Sequence, residues 1–238
     1  HRDLHSFPTR RSSDLAALAS CARVIPDWAL KLARAFWPGP LTLVLPRKPL
    51  VPDIVTSGLD TVALRMPAHT LAQRLLERVH FPLAAPSANP FGFVSPTTAQ
   101  HVLDQLGGRI AYVLDGGSCR VGLESTIVGE QGGRPVVLRL GGLGLEELEN
   151  ALGPLTLATS SGASPGSLES HYAPRTPLYF DDLGYRARGL SPEQVGLLLF
   201  RAPLSEVPPD QQEVLSMSGD LNEAARNLFA ALRRLDAL

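Results

Sequence analysis

The chain has 238 residues and a hydrophobic fraction of 44%, enough for a real core, which excludes wholesale disorder. Its 22 Lys and Arg balance 23 Asp and Glu, for a formal net charge of -1. That argues against a chain dominated by nucleic-acid binding, though not against a local basic patch. Cys21 and Cys119 are too few for a disulfide scaffold or a Cys-rich zinc site. No apolar run approaches the ~20 residues of a membrane span, so a cytoplasmic protein that does not enter a membrane is expected.

Residues 1–15, HRDLHSFPTRRSSDL, show neither helical nor strand periodicity. His1-Arg2-Asp3-Leu4 mimics a kinase catalytic loop, but Pro8 stands where that motif needs Asn, and no Gly-rich loop accompanies it. The run HSFPTRRSSDL matches a translated sequencing-adapter oligonucleotide. The segment is therefore set aside as non-native, with the natural start expected upstream.

From Ala16 the pattern becomes orderly. Pro26 to Trp37 predicts a helix, with Ala29, Leu32, Ala33 and Phe36 at helical spacing and Pro26 in the first turn. Pro38-Gly39-Pro40 ends it. Strands are predicted at Leu41–Leu45, Thr61–Arg65 and Leu83–Ala85, with a helix over His69–Val79. Thr97–Leu106 predicts a helix capped by Thr97 or Ser95. Ala111–Leu114, Ser125–Val128 and Val136–Leu140 predict further strands, and Leu145–Leu152 a short helix. These elements compose an α/β domain over 16–152.

Ala158 to Ser170 is rich in Ser, Gly and Ala, the composition of a flexible linker, taken as 153–177. The apolar run Val195–Phe200 reads as a strand buried on both faces of a parallel sheet, and Leu221–Leu235 as an amphipathic helix. Residues 178–238 thus read as the start of a small Rossmann-like domain, truncated at its C-terminus.

No metal-ligand spacing appears among His69, His80, His101 and His171. Gly162-Ala163-Ser164-Pro165-Gly166 spells a nucleophile elbow, but Pro165 has no N–H to give an oxyanion hole. What remains is a set of polar residues where strands begin and end. Pro86-Ser87-Ala88-Asn89 follows a strand directly, where α/β sites form. Thr61 and Arg65 share one strand face. Arg65 stands between apolar residues, so either its guanidinium meets an anion or it emerges into solvent. Glu124-Ser125-Thr126 opens another strand and Arg139 closes the next. Two arginines and several hydroxyls suit a phosphate or carboxylate ligand. The residues alone support an anion- or nucleotide-handling α/β domain.

The same residues resemble the YrdC-type family of L-threonylcarbamoyladenylate synthases, in its long two-domain form. Trp37-Pro38-Gly39-Pro40-Leu41-Thr42 resembles its WPGPLT signature, and Thr61 to Pro67 its TVAxRxP strand. Pro86-Ser87-Ala88-Asn89 with Gly92 and Ser95-Pro96-Thr97 resembles PSANxSG…SPT. Glu124 to Val128 resembles ESTIV, Leu138-Arg139 with Gly141 resembles LRxG, and Ser164-Pro165-Gly166…His171-Tyr172-Ala173-Pro174 resembles the SPG…HYAP linker. The resemblance implies a YrdC-like twisted mixed sheet with flanking helices.

It also implies synthesis of threonylcarbamoyl-AMP from L-threonine, bicarbonate and ATP, with pyrophosphate released and Mg2+ accompanying ATP. A separate transferase then carries the group to position 37 of tRNA. By resemblance, Arg65, Ala85 and Ser125 hold L-threonine. Thr61, Ser87, Asn89, Ser95, Arg139 and Tyr172 contact ATP, with Tyr172 as a lid. No resident metal or cofactor is implied. Two departures stand out: the family's KxR region is absent, so no catalytic residue is assigned and the chain as written is expected to be inactive; and Phe91 replaces the usual Ser. The alternatives are a YrdC-like module that only binds nucleotide or double-stranded RNA, and one serving a different carbamoyl-adenylate reaction in hydrogenase maturation.

Overall fold

A computed structural model describes residues 7–9, 16–158, 173–180 and 189–238. In chain order the strands are β1 (Phe7–Thr9), β2 (Leu41–Pro46), β3 (Thr61–Arg65), β4 (Leu83–Ala85), β5 (Thr126–Gln131), β6 (Arg134–Arg139), β7 (Thr156–Leu157), β8 (Leu197–Leu199) and β9 (Gln212–Val214). The α-helices are α1 (Ala16–Cys21), α2 (Asp27–Phe36), α3 (Asp53–Thr56), α4 (Thr70–Arg78), α5 (Ala99–Leu106), α6 (Leu145–Leu152) and α7 (Leu221–Leu235). The chain divides into two compact units, His1–Ser87 with Glu124–Leu168 and Ala88–Leu123 with Glu169–Leu238.

The first unit holds a mixed sheet in the order β4-β1-β3-β2-β5-β6-β7. β2 and β3 pair antiparallel, β2 and β5 parallel, and β5 and β6 antiparallel. Alternation along β2 sends Leu41, Leu43 and Leu45 into one core. There they meet Ala29, Leu32 and Ala33, the apolar stripe of α2, and Leu148 of α6. Leu32 is fully buried. Truncating it to Ala would cost about 2–5 kcal/mol, the usual cost of a cavity in a close-packed core.

Phe7–Thr9 belongs to the segment that the sequence reading set aside, yet its backbone lies between β3 and β4, parallel to one and antiparallel to the other. A gap between those strands would leave ladder groups unpaired, and this short run fills it. Pro26 is the N-cap of α2 and precedes its first turn. The linker expected from residue 153 opens with β7, which adds to the sheet beside β6.

The second unit pairs β8 and β9 in parallel and packs α7 against both. The strand expected over Val195–Phe200 shrinks to Leu197–Leu199, and its residues are only half-buried. The cap of α5 is Thr98, whose Oγ1 accepts from His101 N at 3.2 Å. No strand forms at Ala111–Leu114: Tyr112 and Leu114 are exposed, and no ladder partner lies beside them among the described residues. Residues 88–123 pack with this second unit. Val94 and Leu123 share a small core with Phe229 and Leu232 of α7.

Candidate functional site

On the sheet of the first unit, Thr42 is opposite Arg65 on β3 and opposite Ile127 on β5, and Ile127 is opposite Arg139 on β6. Directly opposed residues share a face, so one row reads Arg65, Thr42, Ile127, Arg139. The alternate positions Leu43, Leu64 and Val128 go to the core on the other face. The row lies along the edge where β3 and β6 end and β2 and β5 begin. Three strand spacings separate its terminal arginines, about 14 Å between backbones.

Arg139 reaches this face through a break in register. Val137 pairs with Val128, and the next pair is Arg139 with Ile127, so Leu138 is passed over. An unbroken ladder would have placed Leu138 in the row and turned Arg139 toward the core. A bulge of this kind re-aims a side chain.

Ser125 stands two residues before Ile127 and shares the row's face. Its Oγ lies 2.6 Å from Thr42 Oγ1, with both side chains buried. The Arg139 guanidinium donates to the Ser125 carbonyl from Nη2 at 2.8 Å and from Nε at 3.3 Å, with Glu124 Oε2 4.0 Å from Nη2. The loop after Arg139 then folds back. Gly142 N donates to Glu124 O at 2.8 Å. A Cβ on Gly141 would strike Glu124 O and come within 2.7 Å of Ser125 C, so that position takes only glycine. Thr126 N donates to Pro40 O at 2.9 Å, and Gly39 N to Met66 O at 2.9 Å. The PGP link after α2 is thereby tied to the strand ends that flank the row.

Thr61 begins β3 on the face that Arg65 ends. Four residues separate them, about 13 Å along the strand. Ala85, on β4, lies on the row's face, two residues off its line: Leu83 is opposite Thr9, and Thr9 opposite Arg65. Ser87, just past β4, is exposed. Arg65, Ser125 and Arg139 thus come together around Thr42, while Thr61 marks the far end of the face. Thr42 is the site residue that sequence reasoning missed. Its signal was present: a polar residue in an otherwise apolar strand, inside the quoted WPGPLT motif.

Asn89 and Ser95 belong to the second unit. The Asn89 amide donates from Nδ2 to Pro90 O and Phe93 O, each at 3.0 Å, while its Oδ1 is buried with no hydrogen-bond partner among the described residues. Ser95 is buried. Burial, seconded by the charge of Arg233, holds the pKa of His101 below its usual range. Its Nδ1 accepts from Thr97 N at 3.2 Å, a bond that needs the neutral ring. Burial likewise lowers the pKa of Arg233. Tyr172 lies outside the described residues. Among the described residues no helix is long and apolar enough to cross a membrane.

A family model described as Telomere recombination, covering Sua5, YciO and YrdC, matches residues 9–141. A second, described as Threonylcarbamoyl-AMP synthase, C-terminal domain, matches residues 143–238. The threonylcarbamoyl-AMP synthase of Pyrococcus abyssi is 41% identical over 90% of the chain and 67% of its own length. That of Bacillus subtilis is 37% identical over 94% of the chain and 69% of its own length. The solved structure of P. abyssi Sua5 complexed with L-threonine superposes with a TM-score of 0.84 at 36% identity, over 99% of this chain and 73% of that one. The chain therefore spans about two thirds to three quarters of these relatives.

Proposed function

Because this chain belongs to the Sua5/YrdC family of threonylcarbamoyl-AMP synthases, we propose that the row from Arg65 to Arg139 holds the reactants of that synthesis: L-threonine, bicarbonate and magnesium-bound ATP. The observation that supports this most is the opposed pair Arg65 and Thr42, with Ser125 hydrogen-bonded to Thr42. A guanidinium beside two hydroxyls suits an amino-acid carboxylate and its neighbouring polar groups.

Arg65 takes the carboxylate of L-threonine, with Ser125 and the Ala85 backbone seating the amino acid. Thr61, at the far end of the same face, contacts the nucleotide, as do Ser87 and Arg139. The ~13 Å from Arg65 to Thr61 is long enough for an amino acid joined to an adenylate. Asn89, Ser95 and Tyr172 carry the same assignment to ATP by resemblance.

In the reaction, the threonine amine joins bicarbonate as a carbamate with loss of water. A carbamate oxygen then attacks the α-phosphorus of ATP, and the bond to pyrophosphate breaks. The chain's contribution is positioning and charge stabilisation, which dominate in phosphoryl-group chemistry. Ser125 has one proton and two lone pairs to divide between Thr42 and the substrate. The product then passes to a transferase that modifies tRNA, and the few cysteines suit a reducing cytoplasm.

The test is pyrophosphate release from ATP by the full-length protein, in the presence of each reactant in turn, with the adenylate identified by mass. Release that requires both threonine and bicarbonate supports the proposal. Binding of nucleotide or double-stranded RNA without turnover under any combination would favour the binding-module reading.

A further inference from the structure

Arg233 belongs to α7, far from the row in sequence and in the region matched by the C-terminal family model. Its guanidinium donates to three acceptors of the second unit: Val94 O, Ser95 O at 3.1 Å and Gln105 Oε1 at 2.8 Å. Two of these are consecutive backbone carbonyls of the loop that carries Ser95. The third belongs to α5, the helix that follows this loop. Such a fork fixes both position and direction, because a planar guanidinium holds its donors in one rigid plane.

Two further contacts brace the same loop, and a third ties the segment after α5 to α7. Val94 is buried against Phe229 and Leu232 of α7. Gly122, with φ of 75°, lies against the helix so closely that a Cβ there would strike Arg226 O and come 2.6 Å from Arg226 C. Ala173 N donates to Gly92 O at 2.9 Å, and Phe93 bridges to Ala173. The loop makes internal bonds of its own through Asn89. Helix α7 and its arginine thus hold the main chain at Val94 and Ser95 from outside.

We infer that Arg233 is a positioning residue for nucleotide binding: it fixes the Val94–Ser95 backbone so that Ser95 is presented to ATP. This rests on the reading of Ser95 as a nucleotide contact. It assigns the C-terminal region a part in ATP affinity that threonine affinity does not share, since Arg65, Thr42 and Ser125 are built by the first unit's own strands.

The experiment measures ATP and L-threonine binding separately, by calorimetry, for the full-length protein and its Ser95→Ala, Arg233→Ala and Arg233→Lys variants. Ser95→Ala is expected to weaken ATP binding. Arg233→Ala is expected to raise the ATP Kd on the order of tenfold, as losing charged hydrogen bonds would, with threonine Kd unchanged. Arg233→Lys should fall between, because an ammonium reaches one carbonyl but cannot fork. It carries the test should Arg233→Ala fail to fold. A merely structural arginine would lower the unfolding midpoint of a folded variant and leave its ATP Kd alone. That outcome, with Ser95→Ala still weakening ATP, overturns the positioning role. An unmoved ATP Kd in Ser95→Ala instead overturns the assignment of Ser95, and the inference with it.

Discussion

Thr42 and Ser125 are 83 positions apart in sequence, yet their hydroxyl oxygens meet at 2.6 Å inside the sheet. Each is the other's polar partner in a place with little water. Thr42→Val leaves the Ser125 hydroxyl buried with one partner fewer, which should cost about 1–3 kcal/mol of stability. Ser125→Ala should cost a similar amount. The double variant should lose clearly less than the sum, because no hydroxyl is then left stranded. Urea midpoints of the four proteins at one pH decide it; strict additivity would show that the two do not interact.

Arg65 ends β3 directly opposite Thr42. With the substrate carboxylate as its partner, Arg65→Ala should weaken threonine binding by about 2–5 kcal/mol, the range for truncating one member of a buried charge pair. Arg65→Lys should recover only part, since lysine lacks the bidentate fork. Threonine titration followed by calorimetry gives both values, and unchanged affinity in a folded Arg65→Ala protein refutes the assignment.

Gly141 sits against the Glu124–Ser125 backbone with no room for a methyl group. Gly141→Ala should destabilise the first unit by about 1–3 kcal/mol, the ordinary cost of overpacking. It should also displace Ser125, so threonine affinity falls along with stability. Replacement of Gly133, where a Cβ meets nothing within 4 Å, provides a control for stability: it should leave threonine binding intact.

His101 is held neutral by burial and by the positive charge of Arg233, with Arg234 adding to it and Asp104 opposing. Its folded pKa is lowered, so in the window between that value and the unfolded one the unfolded chain binds more protons. Stability must then rise with pH across this window and fall as acid is added. Urea midpoints from neutral to mildly acid pH should show this slope, and the slope should shrink in His101→Gln. An identical slope in both proteins would assign it to other groups.

The regular elements were legible in the sequence wherever one face had to be buried. Leu41, Leu43 and Leu45 announce β2, and Ala29, Leu32 and Ala33 announce α2, because burial imposes a period of two or of 3.6. The arginines of the row and the Ser125 beside it were legible too, as polar residues at strand ends, whereas Thr42, inside an apolar strand, was not. Two things were hidden. The strand predicted at Ala111–Leu114 shows that apolar character alone makes no strand where a ladder partner is lacking. The allegiance of residues 88–123 was invisible because it depends on Arg233 and Phe229, more than a hundred positions downstream. No local pattern encodes such a contact.

The residue passed over in β6 has a consequence for how this protein tolerates changes of length. In an unbroken strand, losing one residue turns over every later side chain. Here the ladder already carries one spare position, Leu138, between the Gly132-Gly133 turn and Arg139. If one residue were lost from Arg134–Val137, Leu138 could move into the place opposite Val128, as one aliphatic side chain for another. Arg139 would stay opposite Ile127. All five paired places from the Gly132-Gly133 turn through Arg139 then remain filled, so β6 can lose one residue without moving either the turn or the arginine.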